Sequence, residues 1–315
     1  MQQKRRRNEG AGERRLHLVG PVPSPFALGG SIVDAGSYPR VLSRAQGSLI
    51  RQLLREKKVR SSEGAFVVEG VKPCRDVIFR HPEAIRSLLV SPRYIRTEAN
   101  ADRVRRLTLG ARQSVCSDPA FEQLTDVEVS QGILAVVQQP LWDEAQVLGQ
   151  SRVLGVYGDR LQDPANVGAI IRTAAALNLS AVWLSTDSAD HFSPKVVRAT
   201  AGTLLSLPVF RTSDFRTFST YGCEIYAAVP SSVERVFIRN IVTIPGRLVM
   251  AVGNEGAGLS QEILNVSAIR FSIPLAQGVE SLNVAATVAI SAFYFSGVPI
   301  NEGGLAPVMT SRHSA

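Results

Sequence analysis

The chain has 315 residues, 45% of them hydrophobic, which is enough for two ordinary domains with real cores. Its net charge of +8 is unevenly spread: residues 1–60 hold 13 basic and 4 acidic side chains (+9), residues 61–150 hold 10 and 12 (−2), and residues 151–315 hold 12 and 11 (+1). That excludes a uniformly basic wrapper and leaves a polyanion-seeking front end on a nearly neutral body.

In chain order, residues 1–45 read as a flexible basic tail: Lys4-Arg5-Arg6-Arg7 and Arg14-Arg15 lead into a Pro/Gly/Ser stretch with neither helical nor strand period. From Ser48 an amphipathic basic helix is predicted, with Leu49, Ile50, Leu53 and Leu54 as its apolar stripe and Arg51, Arg55, Lys57, Lys58 and Arg60 around or beyond it. Phe66 to Gly70 reads as a buried strand ending at a turn. A helix at 73–80, a strand at 87–90, a helix near 98–109, a strand at 114–116, a helix at 118–124 and a strand at 132–137 complete a small α/β domain, residues 46–138. Gln138 to Arg152 is polar, contains Pro140 and shows no clear period, so it reads as a tether between domains.

The second domain, residues 152–300, opens with a strand at 153–157 and a turn from Asp159 to Pro164 that leads into a helix from about Asn166 to Leu177. A strand at 181–184, a helix at 194–204 and strands at 208–210, 224–228, 247–252 and 269–273 follow, and a helix at 283–295 closes the fold. Such alternation predicts a parallel sheet covered on both faces. Residues 301–315 read as a flexible C-terminus.

Three widely spaced cysteines, Cys74, Cys116 and Cys223, are too few for a disulfide framework or a structural zinc site. The four histidines show no metal-ligand spacing, so no metal is expected. No apolar run approaches the ~18–20 residues of a membrane span, and no signal or transit segment is recognisable, so the expectation is a soluble cytoplasmic protein without membrane contact. The turn after the first strand of the second domain is not a nicotinamide fingerprint, which disfavours a dinucleotide oxidoreductase.

Three segments are unusual for a scaffold. Asp163 to Ala174 contains Asn166, read as a helix cap, and Arg172, which lies nearly opposite the stripe of Val167, Ile170, Ala174 and Leu177 and taken alone is an ordinary solvent-facing arginine. Val249 to Leu259 is a buried strand running into a loop with three glycines, able to bring backbone N–H groups close to a ligand or simply to turn tightly. Ile273 to Ile290 leads from Ile273-Pro274-Leu275 through Gly278 to a small-residue helix for which Ser281 or Asn283 is the cap. All three place polar groups at strand C-termini or helix N-termini, where open α/β sheets bind ligands.

Together these segments resemble the SpoU/TrmH-type RNA 2′-O-ribose methyltransferases of the SPOUT superfamily: N-x-G-x-x-x-R (Asn166, Gly168, Arg172), G-N-E-G-x-G-L (Gly253 to Leu259) and I-P-x-x-x-G-x-x-S-L-N (Ile273 to Asn283), in the family's order. Residues 46–137, with Phe66-Val67-Val68-Glu69-Gly70, are similar to the substrate-binding domain of the ribosomal-RNA branch. Leu275-Ala276-Gln277-Gly278 departs from the family, where a Met and one residue fewer precede the glycine.

The resemblance implies a deep trefoil knot, which general topology rules count against, together with S-adenosylmethionine as cofactor and a homodimer through the knotted domain. It implies cofactor contacts at Gly253, Asn254, Ile273, Leu275 and Leu282, and a catalytic set of Arg172, Asn166, Glu255, Ser281 and Asn283, with Arg172 at the 2′-hydroxyl and reaching across the dimer interface. Ribosomal RNA is the implied substrate; transfer RNA, or non-catalytic RNA binding on the same fold, are the alternatives.

Overall fold

In the computed structural model, residues 40–96, 112–212, 214–230 and 235–301 are described. The predicted helix near 98–109, the tail up to residue 39 and the C-terminal residues from 302 lie outside them.

The first unit runs β1 (Arg40–Val41), α1 (Arg44–Arg55), α2 (Lys57–Glu63), β2 (Ala65–Glu69), α3 (Val71–Arg80), β3 (Ile85–Val90), α4 (Pro92–Ile95), β4 (Gln113–Val115), α5 (Asp118–Glu122) and β5 (Ile133–Gln138). Its five-stranded sheet has the order β1-β4-β3-β5-β2, parallel from β1 to β3 and antiparallel where β5 pairs with β3 and β2. Helix α1 begins four residues before the predicted Ser48. Ser43 and Gln46 form a reciprocal capping box, with the Ser43 Oγ accepting from the Gln46 N–H at 3.2 Å and the Gln46 Oε1 accepting from the Ser43 N–H at 3.0 Å. With β1 paired to β4, folded structure reaches back to Arg40, inside the stretch read as tail.

The segment read as a tether joins the two units and is partly folded. Asp143 caps a short helix, α6 (Glu144–Leu148), which buries Val147 and Leu148 beneath the second sheet, and the Glu144 carboxylate accepts the Trp183 indole N–H at 2.8 Å. Five residues are too few to show a helical period.

The second unit continues β6 (Val153–Gly158), α7 (Pro164–Ala176), β7 (Ala181–Ser185), α8 (Pro194–Ala199), β8 (Val209–Thr212), α9 (Thr217–Thr220), β9 (Glu224–Ala228), β10 (Val236–Phe237), β11 (Arg247–Val252), α10 (Gln261–Val266), β12 (Ile269–Ser272) and α11 (Val284–Gly297). Its seven strands are all parallel in the order β10-β12-β9-β11-β6-β7-β8. Period-two alternation sends Leu154, Val156, Val182, Leu184, Leu248 and Met250 into one core and Val153, Tyr157, Trp183, Val249 and Ala251 into the other. The helix predicted to run to 204 stops at Ala199, because Ala201 and Gly202 adopt positive φ (+50° and +89°) and only a short 3-10 turn follows.

One apolar cluster runs unbroken from Phe66 and Val68 of β2 to Val196 of α8. The seam between the two units also holds an ion pair, Arg60 to Asp190 at 2.7 Å, with both side chains largely buried, a second pair, Arg198 to Asp126 at 2.6 Å, and the Phe66 and Phe192 rings 4.9 Å apart.

Candidate active site at the carboxyl edge of the parallel sheet

The three unusual segments meet where β6, β11 and β12 end. Helix α7 is capped by Asp163, whose Oδ1 accepts the Ala165 N–H at 2.9 Å, with Pro164 as its first residue. This corrects the reading of Asn166 as the cap: Asn166 sits inside the first turn, buried, and its amide is free for other work. Its Nδ2 donates to Glu255 Oε1 at 2.9 Å, and its Oδ1 accepts from Asn283 Nδ2 at 2.8 Å. The Asn283 Oδ1 in turn caps α11, accepting the Ala285 and Ala286 N–H groups at 2.8 and 3.3 Å.

The resulting line Asn283–Asn166–Glu255 joins one residue from each sequence segment, and every amide in it has one orientation only. Glu255 also accepts the backbone N–H groups of Gln162 and Asp163, each at 3.4 Å. Partial burial would raise its pKa, but the Asn166 amide and the backbone donors outweigh that and hold the carboxyl below its ordinary value.

The glycine-rich loop folds back on itself. Asn254 and Gly258 exchange both backbone hydrogen bonds, at 3.0 and 2.9 Å, and the Asn254 Oδ1 accepts the N–H groups of Gly256 and Ala257 at 2.9 Å. A Cβ on Gly253 would overlap the backbone of Gly258 and Leu259, so only glycine fits there. The loop is fastened to the end of β6: Asn254 Nδ2 donates to the Arg160 carbonyl at 2.9 Å, Arg160 Nη2 to the Gly258 carbonyl at 3.2 Å, and the buried Asp159 accepts the Ser260 N–H at 2.7 Å.

Beside this loop lies an open cleft of about 930 Å³. Gly253, Asn254, Ile273, Leu275 and Leu282, the residues expected at the cofactor, all line it, as do Glu255, Ser281 and Asn283. Asn166 meets it through Glu255 and Asn283. Arg172 is not gathered in: it is exposed on the outer face of α7, away from the buried stripe of Val167, Ile170 and Ala174, and has no ion pair or hydrogen bond among the described residues.

The sequence reading passed over Asp159, Arg160, Ser185 and Ser188, which build the support for this edge. The available signal was a charged pair immediately after a fully buried strand. Among the described residues, no group of three or more His, Cys, Asp or Glu side chains is placed to hold a metal, and no helix is long and apolar enough to cross a membrane.

Against known families, residues 154–293 match the SpoU rRNA Methylase family and residues 50–135 the MRM3-like substrate binding domain. The 23S rRNA (guanosine(2553)-2′-O)-methyltransferase RlmP of Bacillus subtilis (strain 168) is 30% identical over 247 residues, 78% of this chain and 93% of that protein. The 23S rRNA (uridine(2479)-2′-O)-methyltransferase of Streptomyces viridochromogenes is 28% identical over 254 residues, covering 78% and 88%. Among solved structures, an AdoMet-bound rRNA methyltransferase from Sinorhizobium meliloti superposes with a TM-score of 0.65 at 25% identity, over 81% of this chain and 95% of that one.

Proposed function

The chain belongs to the SpoU rRNA methylase family, and on that premise we propose that it transfers the methyl group of S-adenosylmethionine to a ribose 2′-hydroxyl of large-subunit ribosomal RNA, as a cytoplasmic homodimer. The observation that carries the reading is the Asn283–Asn166–Glu255 line closing on one cleft. It also disfavours a fold that has kept RNA binding and lost turnover, since each polar member holds a single orientation. A separate substrate-binding unit favours ribosomal over transfer RNA.

The cleft suits the cofactor. Ile273, Leu275 and Leu282 offer apolar walls for a flat heterocycle, and the bare backbone at Gly253 allows close approach by a polar ligand. S-adenosylmethionine, when bound, supplies a methyl group already activated on a sulfonium. The chain's own residues must then align the hydroxyl and stabilise the charge it develops; positioning of this kind is worth on the order of 7 kcal/mol or more in well-oriented systems. Glu255, held ionised, fixes Asn166 and the 160–163 loop. Arg172 orients the ribose phosphate and hydroxyl and stabilises the developing alkoxide. A guanidinium hardly ever gives up its proton, which makes it a poor general base, so the hydroxyl's proton would pass to water as the O–CH3 bond forms and the S–CH3 bond breaks.

Arg172 stands apart from its own cleft, so the reading assigns each cleft the Arg172 of the partner subunit. Ile290 and Phe293, apolar and exposed on α11 beside α7, support a surface for that second copy. The family's deep trefoil knot belongs to the same reading. Its support is the match to the family.

Mapping ribose methylation on ribosomal RNA with and without the enzyme tests the proposal. One new 2′-O-methyl on large-subunit RNA is expected. Methylation of transfer RNA alone would change the substrate, and no transfer with intact cofactor binding would leave only RNA binding.

A further inference from the structure

The loop between β7 and α8, residues 186–193, touches both the substrate-binding unit and the catalytic edge. On one side, Asp190 receives the Arg60 guanidinium through Nε at 2.8 Å and Nη2 at 2.7 Å, while Arg60 Nη1 donates to the Leu53 carbonyl at 2.7 Å and so ties the pair to α1. Phe192 lies against Phe66 of β2, and the His191 ring lies tilted against Phe192 with centroids 4.1 Å apart.

On the other side, the loop and the end of β7 hold the turn that follows β6. Ser185 Oγ accepts the Arg160 N–H at 2.8 Å, Ser188 Oγ accepts the Leu161 N–H at 3.0 Å, the Ala189 N–H donates to the Leu161 carbonyl at 2.7 Å, and Gln162 Nε2 donates to the Asp187 carbonyl at 2.8 Å. Arg160 needs this support, since its φ of +55° is left-handed and unfavourable for a side chain of its size. The same turn supplies the Gln162 and Asp163 N–H groups that hold Glu255 and the Arg160 carbonyl that holds Asn254. Arg211 braces the loop from β8, donating to the carbonyls of Thr186, Ser188 and Ala189.

The geometry points to the 186–193 loop as a coupling element: Arg60 and Asp190 are positioning residues through which docking of the substrate-binding unit sets the 160–163 turn, and with it Glu255 and Asn254. A buried ion pair is a weak device for stability, because desolvation consumes most of the attraction, yet it enforces one register between the parts it joins. Its placement fits that use, since the partners are 130 residues apart and lie on different units. Engagement of RNA by the first unit would then bear on the catalytic turn as well as on affinity. The inference rests on the methyltransferase reading of the cleft.

The test compares full-length wild type with Asp190→Asn, Arg60→Lys and the double variant. Single-turnover methylation at saturating RNA and cofactor is expected to fall about tenfold in each single variant and no further in the double one, as for two members of one contact. The RNA KM should stay within twofold. Independently of activity, hydrogen exchange without cofactor should quicken at least tenfold at the Arg160 and Leu161 amides, while β6 and β11 amides keep their protection. A lowered thermal midpoint with unchanged rate and exchange would make the pair merely structural, and a raised RNA KM with unchanged rate would confine it to binding; either overturns the coupling. Should the Asp190 variant fail to fold, Ser188→Ala on the opposite side of the loop must show the same amide and rate changes. An inactive wild type would defeat the methyltransferase reading and leave the exchange experiment to judge the coupling alone.

Discussion

The two ends of helix α7 carry the same motif and meet opposite fates. At its N-terminal end Asn166 is buried and spends its amide within the chain, on Glu255 and Asn283. Six residues later Arg172 is exposed, with no ion pair or hydrogen bond among the described residues. A group satisfied by its own fold is set before any ligand arrives, and its contribution is preorganisation. A cation left open is available to something outside the chain, and the reading proposed above gives it a phosphate, a ribose hydroxyl and the neighbouring subunit's cleft.

The comparison breaks first at Arg172. Arg172→Ala should lower single-turnover methylation by about 10²–10³-fold, the usual cost of removing one donor from a developing oxyanion, with cofactor affinity by calorimetry unchanged. Unchanged turnover would return this arginine to the solvent-facing surface. Mixing the variant with a protein inactivated at the Asn166 end should restore part of the activity if the two ends meet only across a dimer.

Asn166→Ala attacks the other end. It leaves the Asn283 Nδ2 group without its acceptor and takes from Glu255 its side-chain donor, while the backbone donors to Glu255 and Asn283 remain; the loss is worth about 1–3 kcal/mol, or roughly 10–100-fold in rate. The thermal midpoint should fall as well, which Arg172→Ala should not cause. A next-smaller effect is expected for Gly253→Ala. Its methyl group must displace the Gly258–Leu259 backbone, so cofactor affinity should drop about tenfold for an overpacking strain of ~1–3 kcal/mol.

Glu255 sharpens the contrast through pH. Its folded pKa lies below the ordinary value, so whatever stability it contributes is present above the unfolded carboxylate pKa and is lost as pH falls through the depressed folded value. Wild type and Glu255→Gln should therefore differ in thermal midpoint at neutral pH and converge in acid. The difference should be small, since the carboxylate is largely open to solvent.

How much of this could be read from sequence depends on the range of each interaction. A cap at Ser281 or Asn283 was legible because a cap's partners lie two and three residues away, and the structure selects Asn283. Asn166 was misread as a cap because a short polar residue near a helix start satisfies the same rule, and the stronger signal, Asp163 followed by Pro164, lay three residues earlier. Strands β6, β9 and β11 announced themselves as continuous apolar runs, whereas β10, two residues long, and α6, five residues long, are too short to show any period. Nothing in local pattern could pair Arg60 with Asp190, or tell that Ser185 and Ser188 hold the Arg160–Leu161 turn, because those interactions exist only once two units are packed. The motif resemblance supplied what periodicity could not: that three distant polar segments serve one cleft.

The smallest predicted effect concerns where attraction for RNA resides. The domain that holds the cleft is nearly neutral, and its open arginine is a single charge, so recruitment must come from elsewhere in the chain. Residues 1–39 carry six Lys and Arg against three acidic side chains, and further cations follow in α1 and α2. Deleting residues 2–39, which leaves β1 in place, should weaken RNA binding modestly. It should also flatten the slope of log affinity against log salt by ~0.7 for each single-strand phosphate no longer neutralised, about 1 for a modest loss, while the single-turnover rate of the saturated complex stays that of the full chain. A falling rate at saturation would mean that recruitment and alignment are not separable, and that Arg172 shares its orienting role with the front of the chain. An unchanged slope would place the attraction in α1 and α2, on the unit that Arg60 and Asp190 fasten to the catalytic edge.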